Sequence, residues 1–454
     1  MITLKAGKRR LLAGIALLAC VEMAMVLANT SYYLTFFSND LVFDVNNASS
    51  GHEVLGFGAN VWNGDGRIHG LVHDLNFKFV RMFYGGADCP ANVSGWMRAD
   101  FDALYAGLAQ SATIDMLRAH NVSVIVTPGI PGNWLDAGST FKPEYIQSIA
   151  ILDGALAGAM SGLGQPPEYM ESFNEPDGSW NGHVLPTDYN AIVKALRAEL
   201  DFRGLQSVKI DGPGLAHVDL GDRDEYVESL DAQGLDAIGA WSLHGWEWTS
   251  EVRADPALLR QAFANGFIKS IRARDPGRTR PVLVTEYSTF AFNNDQGIPD
   301  SESIPFAIRV FENTLSFLNG GANGLVYWQG ADQAWDPNNT WSFLRLNGTG
   351  RPVYHAATTL YPKIPTGARV VPVDDQAYGA YTGVFATNTT VVMMLVNRFE
   401  TSQTITVHAK GIAGALLAEA IGFENGQVVN KSLSMDLERI TMPPLSSLTL
   451  TFTR

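Results

Sequence analysis

Two glutamates attract attention because each follows a short apolar run that is typical of a β-strand. Glu175 comes after the run 169–174, and Glu286 ends the run Val282-Leu283-Val284. Hydrolysis of a glycosidic bond needs two such carboxyl groups, one protonated to serve the leaving oxygen and one ionised to act at the anomeric carbon. A single glutamate at a strand end is more often structural, in an ion pair or at a helix cap. The pair therefore matters only if the fold brings both ends together.

Short β-prone runs alternate with longer helical stretches from about residue 53 to 360. Eight strands with helical connections predict an α/β fold of the (β/α)8 TIM-barrel type. A doubly wound open sheet would show the same alternation, but the count of eight and the lack of a glycine-rich phosphate loop after the first strand favour the barrel. The predicted strands are Val54–Trp62, Phe77–Tyr84, Val122–Thr127, Tyr169–Asn174, Val208–Gly212, Ala237–His244, Val282–Tyr287 and Gly324–Trp328.

Beyond residue 365 the β-prone runs are separated by turns and not by helices, which predicts a C-terminal antiparallel β-sandwich side domain. Leu41–Val45 has no obvious partner in the barrel, so we expect this strand to join the sandwich. The predicted division is 1–28 as a signal peptide or signal anchor, 29–52 as the segment that contributes this strand, 53–362 as the catalytic barrel and 363–454 as the side domain. The predicted sandwich strands are Ala380–Phe385, Thr390–Asn397, Thr404–Ala409, Ala415–Ile421 and Leu448–Thr453.

The first 28 residues resemble a targeting segment. Basic residues between positions 5 and 10 precede an apolar run over 11–28 that only Glu22 interrupts, and the run ends in a small-residue cleavage site. The run is at the short limit for crossing a bilayer, so a retained membrane anchor is the alternative. A bacterial lipobox ending at Cys20 is disfavoured because apolar residues continue past it. We expect a secreted, extracellular protein.

The net charge of −14 disfavours nucleic acid and anionic membranes as partners. Cys89 is the one cysteine left after cleavage, so no intrachain disulfide is expected. Eight Asn-x-Ser/Thr acceptors favour a glycosylated protein, although these tripeptides would be inert in a bacterial host. The acceptors are Asn29, Asn47, Asn92, Asn121, Asn338, Asn347, Asn388 and Asn430.

The carboxyl ends of the barrel strands are where catalytic groups sit in this architecture. Strand alternation places Val282, Val284 and Glu286 on one face. If that face is the interior, Glu286 stands above an apolar column and needs a partner, for which Arg81 and Tyr287 are candidates. The other polar and aromatic residues at strand ends are Arg81, Trp134, Asn174, His244, Trp246 and Trp328.

Asn174 and Glu175 are adjacent, so in a regular strand they point to opposite faces. Both can face the site only if the chain bends there, which Pro176 favours by ending the ladder. Glu171 has the same strand parity as Glu175, and we expect it to point into the barrel as a buried ion-pair partner.

Several of these segments resemble clan A glycoside hydrolases. Glu171-Ser-Phe-Asn-Glu-Pro-Asp177 is similar to the Asn-Glu-Pro signature of the clan, and Thr285-Glu286-Tyr287 to its strand-seven nucleophile segment. Glycoside hydrolase family 30 is the most similar family, with departures at Pro128-Gly129 and in the segment before Glu286. The resemblance runs from about residue 41 to the C-terminus. Its other segments are Gly56-Phe57-Gly58, Pro131-Gly-Asn-Trp134, Lys209-Ile210-Asp211-Gly212-Pro213, Val326-Tyr327-Trp328 and Met442-Pro-Pro-Leu445-Ser446.

The resemblance implies a retaining hydrolase of β-linked glycans that acts by double displacement. Glu175 would be the general acid/base and Glu286 the nucleophile, with carboxyl groups roughly 5–5.5 Å apart. The pKa of Glu175 would be raised, while Arg81 and His244 keep Glu286 ionised. Asn174 would bind the sugar 2-hydroxyl.

The resemblance further implies that Trp328 and Trp134 stack on sugar faces. Substrates of the family are xylan, β-1,6-glucan, galactan or glucosyl conjugates. A glucuronate-reading site would need a cation, which Arg345 or Arg351 could supply. We expect a monomer with an oligo- or polysaccharide substrate and no cofactor.

Other interpretations remain open. A non-catalytic carbohydrate-binding or cell-surface protein could keep the barrel, and an inverting mechanism would use the same two carboxyl groups. Two roles are open for the segment Trp246-Glu247-Trp248, which either lines a substrate subsite or packs a loop. His69 and His73 have metal-ligand spacing, but no convincing further ligand lies near them, so no metal site is predicted.

Overall fold

The computed structural model describes residues 39–84, 93, 95–110, 112–218, 224–277, 280–294, 297–375, 379–412, 414–432 and 438–454. The predicted leader 1–28, Cys89 and the acceptors Asn29 and Asn92 lie outside the described residues. Within the described part, no helix combines the length and the apolar character that a bilayer span requires.

The eight predicted barrel strands form one closed parallel barrel in chain order. Each strand pairs with the next, and the last pairs with the first to close the ring. The predicted (β/α)8 fold is therefore confirmed. The strands are β2 (Gly56–Trp62), β3 (Phe79–Tyr84), β4 (Ser123–Pro128), β5 (Tyr169–Glu171), β6 (Lys209–His217), β7 (Ile238–Trp246), β8 (Val282–Tyr287) and β9 (Gly324–Tyr327).

Helices surround the barrel with their apolar faces turned inward. The helix over 186–202 buries Ile192, Val193, Leu196 and Leu200, which repeat at the spacing of one helical face. The helices of the described residues are α1 (Ile68–Asp74), α2 (Arg98–Leu104), α3 (Ala112–Ala119), α4 (Ile146–Gly162), α5 (Pro186–Phe202), α6 (Asp224–Glu228), α7 (Ala232–Ala237), α8 (Ser250–Ala254), α9 (Pro256–Asn265), α10 (Phe267–Arg274), α11 (Ile304–Gly320) and α12 (Pro352–Thr358).

The barrel interior begins with an apolar layer to which six strands contribute. Phe79 and Tyr169 belong to this layer. Two residues further along the same strands come Arg81 and Glu171, which alternation turns to the same interior side. The charged pair therefore stands directly above the apolar layer, toward the carboxyl ends of the strands. The remaining members of the layer are Ile125, Ala240, Leu283 and Val326.

Strand β8 changes its pairing register just before Glu286. Leu243 on β7 pairs with Val284, and the next residue, His244, pairs with Glu286, so β8 carries one extra residue there. Such a bulge reverses which face the following side chains occupy. Val282 and Val284 accordingly pack in the outer core with the helices. The prediction that they form an interior column beneath Glu286 is wrong.

The side domain consists of two packed sheets. One has the strand order β11-β1-β14-β17 and the other β10-β12-β13-β18-β15-β16. Strand β1 lies within the first sheet, antiparallel to β11 and parallel to β14, so residues from both ends of the chain build it. The strands are β1 (Asp40–Asp44), β10 (Arg369–Val370), β11 (Val373–Asp375), β12 (Tyr381–Ala386), β13 (Thr390–Asn397), β14 (Gln403–Lys410), β15 (Leu416–Glu424), β16 (Gln427–Asn430), β17 (Arg439–Met442) and β18 (Ser446–Thr453).

Candidate active site

Glu175 reaches the barrel mouth because strand β5 ends early. The strand stops at Glu171, the chain then bends through residues 172–174, and Glu175 has a left-handed φ of 50°. Both Asn174 and Glu175 therefore turn toward the site, as the predicted bend requires. Asp177 fixes the bent segment by accepting a hydrogen bond of 2.9 Å from the backbone N–H of Ala216 on β6.

The carboxylate of Glu175 is 7% exposed and has donors on both oxygens. His244 Nδ1 lies 2.8 Å from Oε1. On the other oxygen, Oε2, Asn181 donates at 2.6 Å and the indole N–H of Trp180 donates as well. These donors orient the carboxyl group and stabilise its ionised form.

Glu286 faces Glu175 across the mouth and is also 7% exposed. Its Oε2 accepts a hydrogen bond of 3.1 Å from Arg81, and its Oε1 one of 2.8 Å from the indole N–H of Trp246. His244 Nδ1 lies 3.7 Å from Oε2. A carboxylate oxygen of Glu286, one of Glu175 and a ring nitrogen of His244 all lie within 4.8 Å of one another.

Arg81 is fully buried and links the parts of the site. Besides Glu286, its guanidinium donates to the carboxylate of Glu171 and, at 2.6 Å, to the amide oxygen of Asn174. Asn60 accepts a further bond of 2.9 Å. A buried cation is tolerated only when it is paired and hydrogen-bonded, and these four acceptors meet that condition. Glu171 is accordingly a buried ion-pair partner of Arg81, as expected.

The pKa values of the two facing glutamates move in opposite directions. For Glu175, burial raises the pKa, but the hydrogen bond and positive charge of His244 and the bond from Trp180 lower it below its usual value. For Glu286, burial raises the pKa and the attraction of His244 and Arg81 offsets that effect only in part. Burial lowers the pKa of His244, yet the surrounding carboxylates raise it to about 10.

This is the reverse of the expected division, in which Glu175 had the raised pKa. The physical reason is the position of the imidazole. His244 was expected to hold Glu286 ionised, but its Nδ1 is 2.8 Å from Glu175 and 3.7 Å from Glu286. The nearer carboxylate gains the stronger charge-assisted hydrogen bond.

Glu175, His244 and Glu286 form the one cluster of potential metal ligands among the described residues. The guanidinium of Arg81 lies 3.1 Å from Glu286, where it would repel a cation. The hydrogen-bond donors around this cluster therefore favour ionised carboxylates over carboxylates bound to a metal ion. His73, in the pair discounted above, is exposed and contacts Asp74.

The predicted aromatic residues have different surroundings. Trp134 is completely buried, with its ring stacked on Tyr145 at 5.1 Å, so the prediction that it stacks on a sugar is wrong. Trp328 is partly exposed, and its ring lies edge-on to Phe83. Trp246 contacts Glu286 and stacks on Phe290 at 4.6 Å.

Three residues that contact the site were not predicted. Trp180 and Asn181 follow the Asn-Glu-Pro segment by only a few positions, and that proximity was the available signal. Asn60 is a polar residue inside the otherwise apolar strand β2 and donates to the backbone oxygens of Thr285 and Tyr327. It therefore ties β2 to β8 and β9 beside Arg81.

Arg345 and Arg351, the two candidates for binding a glucuronate, are both paired with carboxylates. Arg351 is 4% exposed and forms ion pairs with Asp332 and Glu302. Arg345 also pairs with Glu302. Because carboxylates of the chain itself neutralise both guanidinium groups, the structure argues against this reading of an acidic sugar.

Glu247 and Trp248, left open above, have separate roles. Glu247 is fully buried and accepts hydrogen bonds from Thr289, from the backbone of Phe290 and from Asn313. It therefore packs the loops after β7 and β8. Trp248 is 50% exposed, and its ring lies 4.6 Å from that of His217 at the end of β6.

No protein-family model and no curated relative matches this sequence. Solved structures do match its fold. The GH30 endoxylanase from Clostridium papyrosolvens C71 superposes with a TM-score of 0.66 at 14% identity, over 91% of this chain and 100% of that chain. An endo-β1,6-glucanase superposes with a TM-score of 0.61 at 16% identity, over 92% of this chain and 94% of that chain. The GH51 arabinofuranosidase from Xanthomonas axonopodis pv. citri superposes with a TM-score of 0.61 at 14% identity, over 91% of this chain and 99% of that chain. The chain thus shares the fold of these three proteins, a (β/α)8 barrel with a β-sandwich side domain, as its sequence predicted.

Proposed function

We propose that the protein is a retaining glycoside hydrolase of β-linked glycans, with Glu175 as general acid/base and Glu286 as nucleophile. The observation that carries the proposal is the approach of the two carboxylates, whose facing oxygens lie within 4.8 Å. Retaining enzymes separate these groups by roughly 5–5.5 Å, whereas inverting enzymes need about 6.5–9.5 Å to admit a water.

The first step of the mechanism needs a proton on Glu175. In the substrate-free site that proton resides on His244, 2.8 Å from Oε1, because the pKa of His244 is raised to about 10. Transfer from Nδ1 to Oε1 leaves a neutral imidazole and a neutral acid. A sugar that displaces water favours this neutral pair, since desolvation disfavours charged forms.

Glu286 then attacks the anomeric carbon while the bond to the leaving oxygen breaks and that oxygen takes the proton of Glu175. The ester on Glu286 is hydrolysed by water, which gives its proton to Glu175. Arg81 and Trp246 orient the two oxygens of Glu286 before the attack. Asn174 stands beside Glu175 to meet the substrate, and Trp328 offers a partly exposed indole.

A non-catalytic carbohydrate-binding protein is the second candidate. It has less support, because binding alone does not require two buried carboxylates that face each other at a cost in desolvation. The substrate class remains xylan, β-1,6-glucan, galactan or glucosyl conjugate, and the experiment must include all four.

The test is proton NMR of the first sugar released from those four substrates. We expect the β-anomer to appear first, and Glu286→Gln to lower kcat by at least a thousandfold on the substrate that is cleaved. Glu286→Gly with azide should yield an α-glycosyl azide, which identifies the nucleophile. Equal slow release by wild type and Glu286→Gln would rule out hydrolysis by this site, and an initial α-anomer would indicate inversion.

We further propose that the protein is exported and glycosylated. The basic and apolar pattern of residues 1–28 supports export. The six acceptors within the described residues, Asn47, Asn121, Asn338, Asn347, Asn388 and Asn430, are all exposed. Glycopeptide mapping of the protein from the medium of a eukaryotic host tests both points, and intracellular, unmodified protein would contradict them.

A further inference from the structure

An aromatic group lies beside Glu175 on the side of its Oε2 atom. Trp180 donates its indole N–H to that oxygen. The ring of His217 lies 5.7 Å from that of Trp180, and the ring of Trp248 lies 4.6 Å from that of His217. We name Trp180, His217 and Trp248 the aromatic platform.

Three neighbouring barrel strands position this platform. Trp180 follows β5, His217 ends β6, and Trp248 comes just after β7. Gly178 permits the close fold of the Trp180 loop, because a Cβ atom there would lie 2.5 Å from the indole ring. His217 and Trp248 are therefore held at strand ends, whereas Trp180 lies in the connection between β5 and α5.

The two indoles of the platform are open to solvent. Trp180 is 57% exposed and Trp248 is 50% exposed, whereas His217 between them is 6% exposed. Neighbouring exposed apolar rings are typical of a ligand-binding surface, and sugar rings present flat apolar faces that match them.

Trp180 of the platform contacts Glu175, the residue that protonates the leaving group in the proposed mechanism. In the proposed mechanism the leaving oxygen takes its proton from Glu175, so the group attached to that oxygen lies against Glu175 and its neighbours. We propose that the aromatic platform is a subsite for a leaving sugar, so that the enzyme cleaves between two sugar units of a glycan chain. This inference rests on the proposed function and adds to it the class of the leaving group.

The two steps of double displacement allow a selective test. Trp248 joins the platform through His217, whereas Trp180 donates to Glu175, so Trp248→Ala removes stacking surface and leaves the Trp180–Glu175 hydrogen bond in place. A β-glycosyl fluoride has a leaving group that needs neither proton nor stacking, because fluoride is a stable anion without a ring. An oligosaccharide of the same glycone needs both.

We expect Trp248→Ala to lower kcat/KM about tenfold on the oligosaccharide, as loss of one stacked ring predicts, and less than twofold on the glycosyl fluoride. The oligosaccharides are xylotetraose, β-1,6-glucotetraose and β-1,6-galactotetraose. Trp248→Phe, which keeps a ring, should retain most of the activity. Phe202→Ala, which removes an exposed aromatic ring at the far end of α5, is the control and should leave kcat/KM unchanged on both substrates.

A second readout is transfer to an added sugar acceptor. Its hydroxyl gives a proton to Glu175 as its oxygen bonds to the anomeric carbon and the ester to Glu286 breaks. Trp248→Ala should reduce the ratio of transfer to hydrolysis during turnover of the glycosyl fluoride about tenfold.

Unchanged oligosaccharide cleavage and transfer in Trp248→Ala would overturn the subsite while the proposed function stands. If Trp248→Ala loses activity only on octyl β-glucoside or glucosylceramide, the platform binds an apolar aglycone and not a sugar. If wild type hydrolyses none of the glycosyl fluorides or oligosaccharides, the proposed function is contradicted, and so is the subsite that rests on it.

Discussion

At the residue scale, His244 organises the charge of the site. Its ring nitrogens lie 2.8 Å from Glu175 and 3.7 Å from both Glu286 and Glu171. Together with Arg81, the protonated imidazole places two positive charges among three carboxylates. In the proposed mechanism, transfer of the imidazole proton to Glu175 makes that residue an acid, and its return to His244 makes Glu175 a base.

Replacing His244 should change the pH dependence of activity. In wild type the proton shared with Glu175 is lost only as the pH rises through the raised pKa of His244, about 10. In His244→Asn the Glu175 carboxyl must hold the proton alone, and a carboxylic acid releases it at lower pH. We expect the alkaline limb of the kcat/KM profile to move down by at least two pH units.

The matched control for this experiment is His73→Asn, an exposed histidine on α1 whose side chain is 80% exposed. Its profile should coincide with that of wild type. An unmoved alkaline limb in His244→Asn would show that the imidazole does not supply the proton.

At the element scale, close strand contacts set the geometry of the barrel. Gly58 on β2 pairs with Phe79 on β3, and a Cβ atom at position 58 would lie 2.2 Å from the backbone oxygen of Phe79. A backbone atom in a ladder cannot move aside without breaking its hydrogen bonds. Arg81 lies two residues further along β3, so this contact also affects the site.

Gly58→Ala should therefore lower the free energy of unfolding by about 3 kcal/mol, the upper range for overpacking a core. Urea titration measures it. Gly70→Ala is the control, because position 70 lies in α1 with nothing within 4 Å of the added methyl group. Alanine there should raise stability by about 0.5–1 kcal/mol. Equal effects from the two substitutions would contradict the close contact.

At the scale of the whole molecule, the two ends of the chain build one side domain. Strand β1 inserts between β11 and β14, and its inward side chains Leu41 and Phe43 are buried in a core separate from that of the barrel. The side domain therefore depends on a segment that precedes the barrel in sequence. None of these side chains contacts the carboxylates of the site in the described structure.

Phe43→Ala should destabilise the protein by about 3–5 kcal/mol, the usual cost of emptying a buried phenylalanine site. At temperatures well below unfolding, kcat/KM should stay unchanged because the barrel core is separate. Thermal unfolding together with the assay measures both. Val428→Ala, at a position 41% exposed on β16, should change stability by about 0.5 kcal/mol or less. Loss of activity in soluble, folded Phe43→Ala would show coupling between the two cores.

The alternation of eight strands and helices was predictable from the sequence, because the periodicity of apolar residues is a local property. The Asn-Glu-Pro segment likewise located Glu175 and Asn174 without any tertiary information. Strands β10, β11, β16 and β17 were not predicted, since they have two to four residues each and are too short to show a period.

Only the tertiary structure decided how these residues face one another. The bulge on β8 turns Glu286 into the mouth, although strict alternation placed it on the face of Val284. Stacking on Tyr145 buries Trp134, and Glu175 rather than Glu286 receives the imidazole of His244. Each outcome depends on a partner far away in sequence or on a single extra residue in a ladder. Local residue patterns determine which elements form, whereas pairing register and burial determine where their side chains point.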